Sequence, residues 1–249
     1  MERLDKVLSH AGFGTRKDVK ALLKEGAVCV NGEVVKDSAS KIDLDKDTLS
    51  VDGEKIVIKE NIYLMMNKAQ NYVCSSKEGD HATVFDCVDE EYLHSYLGGD
   101  LHLVGRLDID TEGLLILTSD GEMTHRLTSP KSHCTKKYLV HLRSSLSDDD
   151  FDSYREKLEK GVHISAEGDD GEWDCASAVL ERAGSEDNAV FLTITEGRFH
   201  QVKRMFRALS NEVVFLKRVA IGGLVLDESL AAGECRELTA DELSLLKAI

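Results

Sequence analysis

The residues best suited to chemistry sit in two charged turns. The first reads Gly105-Arg106-Leu107-Asp108-Ile109-Asp110-Thr111-Glu112-Gly113 and runs straight into the apolar stretch 114–117, which Asp120-Gly121 closes. A short apolar run bounded by glycine and Asp-Gly reads as a buried strand entered from a loop. Asp108 and Asp110 therefore stand at a strand's mouth, where a carboxylate beside an arginine stays ionised even in a site that excludes water. That is the form that acts as a base or a nucleophile. A capping aspartate in a loop salt bridge fits the same spacing, and the spacing alone does not separate the two. The second turn is Thr195-Glu196-Gly197-Arg198-Phe199-His200-Gln201-Val202-Lys203-Arg204-Met205-Phe206. From His200 onward, Val202, Met205, Phe206 and Leu209 suit one face of a helix whose other side carries Lys203, Arg204 and Arg207. A third cue is Thr135-Lys136-Lys137-Tyr138-Leu139-Val140, where basic residues lead into a strand bearing an aromatic. Taken alone, a tyrosine there is more often core or rim than a surface for stacking a base.

The elements that must position these residues form two groups. Residues 1–60 read as a small unit of their own. Leu4, Val7, Leu8 and Ala11 recur at helical spacing, Gly12-Phe13-Gly14 ends that helix, and Thr15 opens a second with Asp18 as an acidic capping-box partner. In the second helix Arg16, Lys17, Lys20 and Lys24 form a cationic side opposite Val19, Leu22 and Leu23. Such a run is commonly no more than a solvated face. Its sequel is more specific: 26–35 reads as a strand, an Asn31-Gly32 hairpin turn and a second strand. Residues 61–249 then begin with a strand-like 62–68, and the low Gly, Ser and Pro content near residue 60 predicts a stiff join. A helix is expected over 151–160 after the acidic Asp148-Asp149-Asp150, with strands over 176–180 and 189–194.

Composition narrows the class. With 249 residues, 42% hydrophobic and 31% charged, the chain reads as a globular protein with ample core. No apolar stretch approaches the roughly 20 residues of a membrane span, and Met1-Glu2-Arg3-Leu4-Asp5-Lys6 lacks the apolar core of a signal peptide, so a cytoplasmic location is expected. Cys29, Cys74, Cys87, Cys134, Cys175 and Cys235 are scattered singly and read as reduced thiols, and the nine histidines form no ligand pair, so no metal is expected. Gly98-Gly99 and Gly222-Gly223 punctuate loops without phosphate-loop spacing, so no nucleotide cofactor is expected either. The net charge of −15 opposes general affinity for a polyanion, so any nucleic-acid binding must rest on local patches.

The order of two helices with Arg16 and Lys17 on the second, then Gly26, then Val28-x-Val30-Asn31-Gly32, resembles the RNA-binding domain named after ribosomal protein S-four. The resemblance implies Arg16, Lys17, Lys20 and Lys24 as phosphate contacts, with the acidic run Asp43, Asp45, Asp47 and Asp52 facing away from the RNA. From about residue 62 to the C-terminus the three cues, with His125-Arg126-Leu127-Thr128-Ser129-Pro130, resemble the pseudouridine synthases of the bacterial branch that modifies small-subunit ribosomal RNA. This implies an α+β chain: a small N-terminal RNA-binding domain followed by a catalytic domain on a mixed, largely antiparallel sheet. Asp108 is implied as the catalytic carboxylate, Tyr138 as its aromatic partner and Lys203 as its basic partner. The His200-Gln201-Val202-Lys203 form favours the small-subunit branch over large-subunit relatives, which tend to carry arginines there. One departure is the family's Asn-Lys-Pro-x-Gly turn, which reads Asn67-Lys68-Ala69-Gln70-Asn71 here.

Isomerising uridine breaks the ribose–uracil nitrogen bond, turns the base and rejoins it through carbon, without cofactor or metal. Asp108 either attacks the anomeric carbon or removes the neighbouring sugar proton, with Lys203 keeping it ionised and Tyr138 stacking on the freed uracil. Arg106, Arg198, Arg204 and Arg207 are expected RNA contacts, with Arg204 also the less favoured alternative to Lys203 as the basic partner. The expected partner is ribosomal RNA within a partly assembled small ribosomal subunit, with no membrane partner and the enzyme a monomer. Three alternatives stand beside this: a noncatalytic RNA-binding assembly factor, a large-subunit synthase, and a glycosidase using Asp108 with Asp110.

Overall fold

Thr15 sets the frame of the N-terminal unit. The computed structural model describes residues 1–44, 46–56, 58–75, 80–93, 96–167 and 171–248. Helix α1 spans Leu4–His10 and α2 spans Arg16–Glu25. Thr15 caps α2 through the reciprocal box with Asp18, and Gly26 ends it in the left-handed conformation, φ 82°. Strands β1 (Val28–Val30) and β2 (Glu33–Val34) meet at Asn31-Gly32, both at positive φ, as a two-residue hairpin demands. With β3 (Leu49–Val51) and β4 (Glu54–Ile56) they form an antiparallel sheet in the order β2-β1-β3-β4. Leu4, Leu8, Val19, Leu23, Val28 and Leu49 make its core, and Leu97 packs against them, which is why Asp89–His102 belongs to this unit along with Met1–Ile62 and Thr118–Gly121. Asp47 accepts hydrogen bonds from the Asn31 side chain and the Asp43 backbone, both at 2.8 Å, so part of the acidic run ties the hairpin down. Asp45 lies outside the described residues.

The second unit is built on one mixed sheet. Its strands are β5 (Tyr63–Lys68), β6 (Glu112–Thr118), β7 (Lys136–Leu142), β8 (Val179–Arg182), β9 (Ala189–Ile194), β10 (Val213–Ile221) and β11 (Cys235–Glu237). They lie in the order β8-β9-β7-β10-β6-β5-β11. β7 runs antiparallel to both neighbours, whereas β6 and β10 are parallel, with Arg218 opposite Gly113. A Cβ on Gly113 would collide with the Arg218 carbonyl, so glycine is what lets these two strands close up. Residues 114–117 are fully buried, as their unbroken apolar run predicts. Helix α3 is Asp148–Lys160, capped by Ser147, and α4 is Gln201–Ala208. The strand expected over 176–180 begins later, at Val179, because 176–178 bond to the loop carboxylate of Glu196 and to Leu158 instead of a strand. All six cysteines are free thiols, and among the described residues no helix is long and apolar enough to cross a membrane.

The terminal helix α5 (Ala240–Lys247) is held by Arg236, whose guanidinium grips Glu242 through two bonds (2.8 and 2.9 Å) and Asp227 at 2.8 Å. The Arg236 hydrogen bonds hold Glu242 down at about 2; serine bonds first, then Arg236, do the same for Asp227, also about 2. Depressed carboxylates add stability above their unfolded values, lost as pH falls through the folded ones. The urea midpoint should therefore fall between about pH 4.5 and 2, and Arg236→Met should flatten that fall while lowering the midpoint at neutral pH.

Candidate active site

Lys68, the last residue of β5, fixes the first charged turn from below. Its side chain is fully buried, and its ammonium donates to the carbonyls of Ala69 (3.0 Å), Asp108 (3.0 Å), Ile109 (3.3 Å) and Thr111 (2.8 Å). Burial holds the Lys68 ammonium below its ordinary value. Asn71 adds a backbone bond to the Ile109 carbonyl at 2.8 Å and sits at φ 69°. Asparagine is among the few non-glycine residues that take this left-handed conformation readily, so it can stand where the family's turn has glycine.

The second charged turn is braced by Gln201, which is buried. Its carbonyl accepts from the Arg198 backbone N–H at 3.0 Å, and its amide donates to Glu196 at 2.8 Å. His200 takes a left-handed φ of 49° just before α4, which starts the helix with Lys203 in its first turn. The two turns meet at Lys203: its Nζ lies 3.1 Å from Asp108 Oδ2 and 2.5 Å from Asp110 Oδ1. His200 Nε2 lies 3.7 Å from the other Asp108 oxygen. Burial would raise the Asp110 carboxyl, but the hydrogen bond and charge of Lys203 outweigh it and hold it below its ordinary value.

A cavity of about 300 Å³ opens beside this cluster, a size that suits a small ligand or a single nucleoside. Asp108, Tyr138 and His200 line it together with Arg106, Lys136, Arg198 and Arg218; Asp110 does not. A two-carboxylate glycosidase site needs both groups facing the sugar, so this arrangement speaks against that alternative.

The expected phosphate contacts divide. Arg106 and Arg198 are exposed at the cavity, Arg198 lying over the Trp173 ring with its guanidinium carbon 4.9 Å from the centroid. Against the expectation of an exposed phosphate contact, Arg204 is turned inward: it is buried, donates to the Ser165 carbonyl at 2.7 Å and packs 4.3 Å from the Trp173 centroid, so it braces α4. Arg207 is exposed but engages Glu167 at 2.8 Å, away from the cavity lining. In the N-terminal unit Arg16, Lys17, Lys20 and Lys24 are all exposed on one helix. Lys68 and Arg218 were not singled out from sequence; the available signal was a basic residue inside or ending an apolar strand run.

The model for the RNA pseudouridylate synthase family matches residues 62–208, and that for the S4 domain matches residues 2–48. The chain belongs to the pseudouridine synthases. A crystal structure of a pseudouridylate synthase shares 41% sequence identity with this synthase, at a TM-score of 0.65 and covering 99% of this chain and all of the other. An uncharacterised RNA pseudouridine synthase of Bacillus subtilis (strain 168) is 44% identical over 246 residues, 98% of each chain. The ribosomal small subunit pseudouridine synthase A of Escherichia coli (strain K12) is 42% identical over 243 residues, 97% of this chain and 98% of that one. The Pasteurella multocida (strain Pm70) protein of the same name is 43% identical over 243 residues, with the same shares. As a pseudouridine synthase, the chain is an isomerase that works on RNA, with an S4 domain ahead of its catalytic domain.

Proposed function

We propose that this synthase converts one uridine of small-subunit ribosomal RNA to pseudouridine, with Asp108 as the reacting carboxylate. The observation that carries the reading is that Asp108 and Tyr138, from distant segments, line one nucleoside-sized cavity, with Lys203 paired to Asp108 at 3.1 Å. The assignment to the small subunit draws on the relatives that carry that name and on the His200-Gln201-Val202-Lys203 form.

The target uridine must leave its stack to reach Asp108, at a cost of a few kcal/mol that stacking on Tyr138 and contacts to its exposed edge offset. The carboxylate then attacks the anomeric carbon or takes the neighbouring sugar proton. Lys203 supplies the opposite charge 3.1 Å away, and Arg106 and Arg198 meet the flanking phosphates at the mouth. Residues 1–60 act as the RNA-binding domain and 61–249 as the catalytic one. The enzyme works as a cytoplasmic monomer on RNA in a partly assembled small subunit.

A chain of net charge −15 binds RNA only through such patches, and α2 carries one of four exposed cations, Arg16, Lys17, Lys20 and Lys24. Replacing Lys17, Lys20 and Lys24 together by alanine should make the slope of log affinity against log salt shallower by about two, read by filter binding across a salt series. The function itself is tested by tritium release from RNA labelled at uracil carbon five. Release from small-subunit but not large-subunit RNA supports the proposal, release from large-subunit RNA alone moves the substrate, and none from either RNA or from assembly particles leaves a binding protein.

A further inference from the structure

Two cations lining the cavity, Lys136 and Arg218, form no ion pair among the described residues. Lys136 and Tyr138 are two residues apart in β7 and so share a face of the sheet, and Tyr138 stands opposite Arg218 in β10. All three line the cavity. Arg218 is 4% exposed; its Nε donates to the Leu114 carbonyl at 2.7 Å, and its Nη2 has no hydrogen-bond partner among the described residues. Lys136 is half-buried, and its ammonium reaches the Thr195 carbonyl only at 3.5 Å. Neither forms an ion pair with a carboxylate among the described residues, while Asp108 and Asp110 are both drawn to Lys203. Burial pushes the Lys136 ammonium down, and the Arg218 charge acts in the same direction. Cations held at this depth without a carboxylate are costly unless an anion arrives. The local device that puts them there is a register shift between Lys137 and Tyr138, which leaves Val219 out of the β7–β10 pairing. Such a bulge re-aims the side chains beside it.

We propose that Lys136 and Arg218 receive the negative charge of the uracil while it is detached from the ribose. The proposal rests on the isomerase reading above and assigns these two residues an electrostatic role in it. The C1′–N1 bond breaks with its electron pair going to N1 and spreading onto O2 and O4, so the free base is a monoanion. At the sugar, C1′ bonds to an Asp108 oxygen, or C2′ gives its proton to Asp108 and a C1′–C2′ double bond forms. On rejoining, the uracil pair forms the C5–C1′ bond and Asp108 departs, or returns its proton to C2′. The C5 proton then leaves to water and N1 takes one from water. A ring stacked on Tyr138 places its oxygens over the sheet face that holds both cations, where preorganised positive charge acts most strongly on a developing anion.

The test compares Lys136→Met with its charge-retaining companion Lys136→Arg, measuring single-turnover tritium release from small-subunit ribosomal RNA and, separately, RNA affinity. Both variants are first matched to wild type by melting temperature. Lys136→Met should slow release by about a hundredfold, the scale for losing one charge-stabilising group, with affinity changed by less than about twofold; Lys136→Arg should recover most of the rate. On RNA carrying 5-fluorouridine, whose base is a better leaving anion, the deficit of Lys136→Met in bond cleavage, read by mass spectrometry, should shrink about tenfold. Affinity falling in step with rate, a shallower salt dependence and an equal deficit on the fluorinated RNA would put a backbone phosphate there and overturn the proposal. Lys136→Met at the wild-type rate would overturn it too. A wild-type protein that releases no tritium instead overturns the isomerase reading, and this proposal with it.

Discussion

Asp108→Asn should lower single-turnover tritium release by at least about a thousandfold and leave RNA affinity within about twofold of wild type. Asparagine keeps the shape of the side chain and one acceptor oxygen, but it neither attacks carbon as an anion nor accepts a proton at neutral pH. Binding should be spared because the cations proposed to meet phosphate, Arg106 and Arg198 at the cavity and the α2 cluster, are untouched. Stability should be nearly unchanged as well: Lys203 keeps Asp110 at 2.5 Å, and partly exposed ion pairs contribute little. The melting temperature of this variant is the control that separates lost chemistry from lost fold.

Lys68→Met should cost both stability and rate. Methionine fills the same space but takes the ammonium away from the carbonyls of Ala69, Asp108, Ile109 and Thr111, of which those of Asp108 and Ile109 keep a backbone donor. A loss of about 3 kcal/mol follows, which for a chain of this size lowers the melting temperature by about 6–12 °C. Because three of those carbonyls belong to the turn that carries Asp108, release should also fall by about a hundredfold, the usual result of a displacement near 1 Å at a reacting group. A variant that melts and turns over like wild type would mean that the turn is held by its other bonds, Asn71 to Ile109 and Thr111 to Asp108.

Local features were legible before any coordinates. The Thr15–Asp18 box, the Asn31-Gly32 hairpin and the buried run 114–117 each depend on residues within a few positions of one another. The proposed catalytic grouping of Asp108, Tyr138 and Lys203 came from resemblance; spacing placed them at turns and strand mouths without bringing them together. What stayed hidden depends on partners distant in the chain. Arg204 looks like its neighbour Lys203 on a basic helix face, and only Trp173 and Ser165, brought up by a separate pair of short strands, turn it inward. Lys68 reads as the polar end of a strand until the 108–111 turn folds over it. Arg218 sits beside Lys217 in the strand β10, and its closeness to Tyr138 follows from the register of two strands far apart in sequence.

The central claim, that the Asp108 carboxylate turns uridine into its carbon-linked isomer in small-subunit ribosomal RNA, is tested most directly by counting the product. Unmodified small-subunit RNA is incubated with wild type or with Asp108→Asn, digested to nucleosides and analysed for pseudouridine by chromatography with mass detection. The account predicts about one pseudouridine per RNA molecule with wild type and none with Asp108→Asn at equal bound protein. Equal product from both proteins, or none from wild type on RNA that it binds, would contradict it.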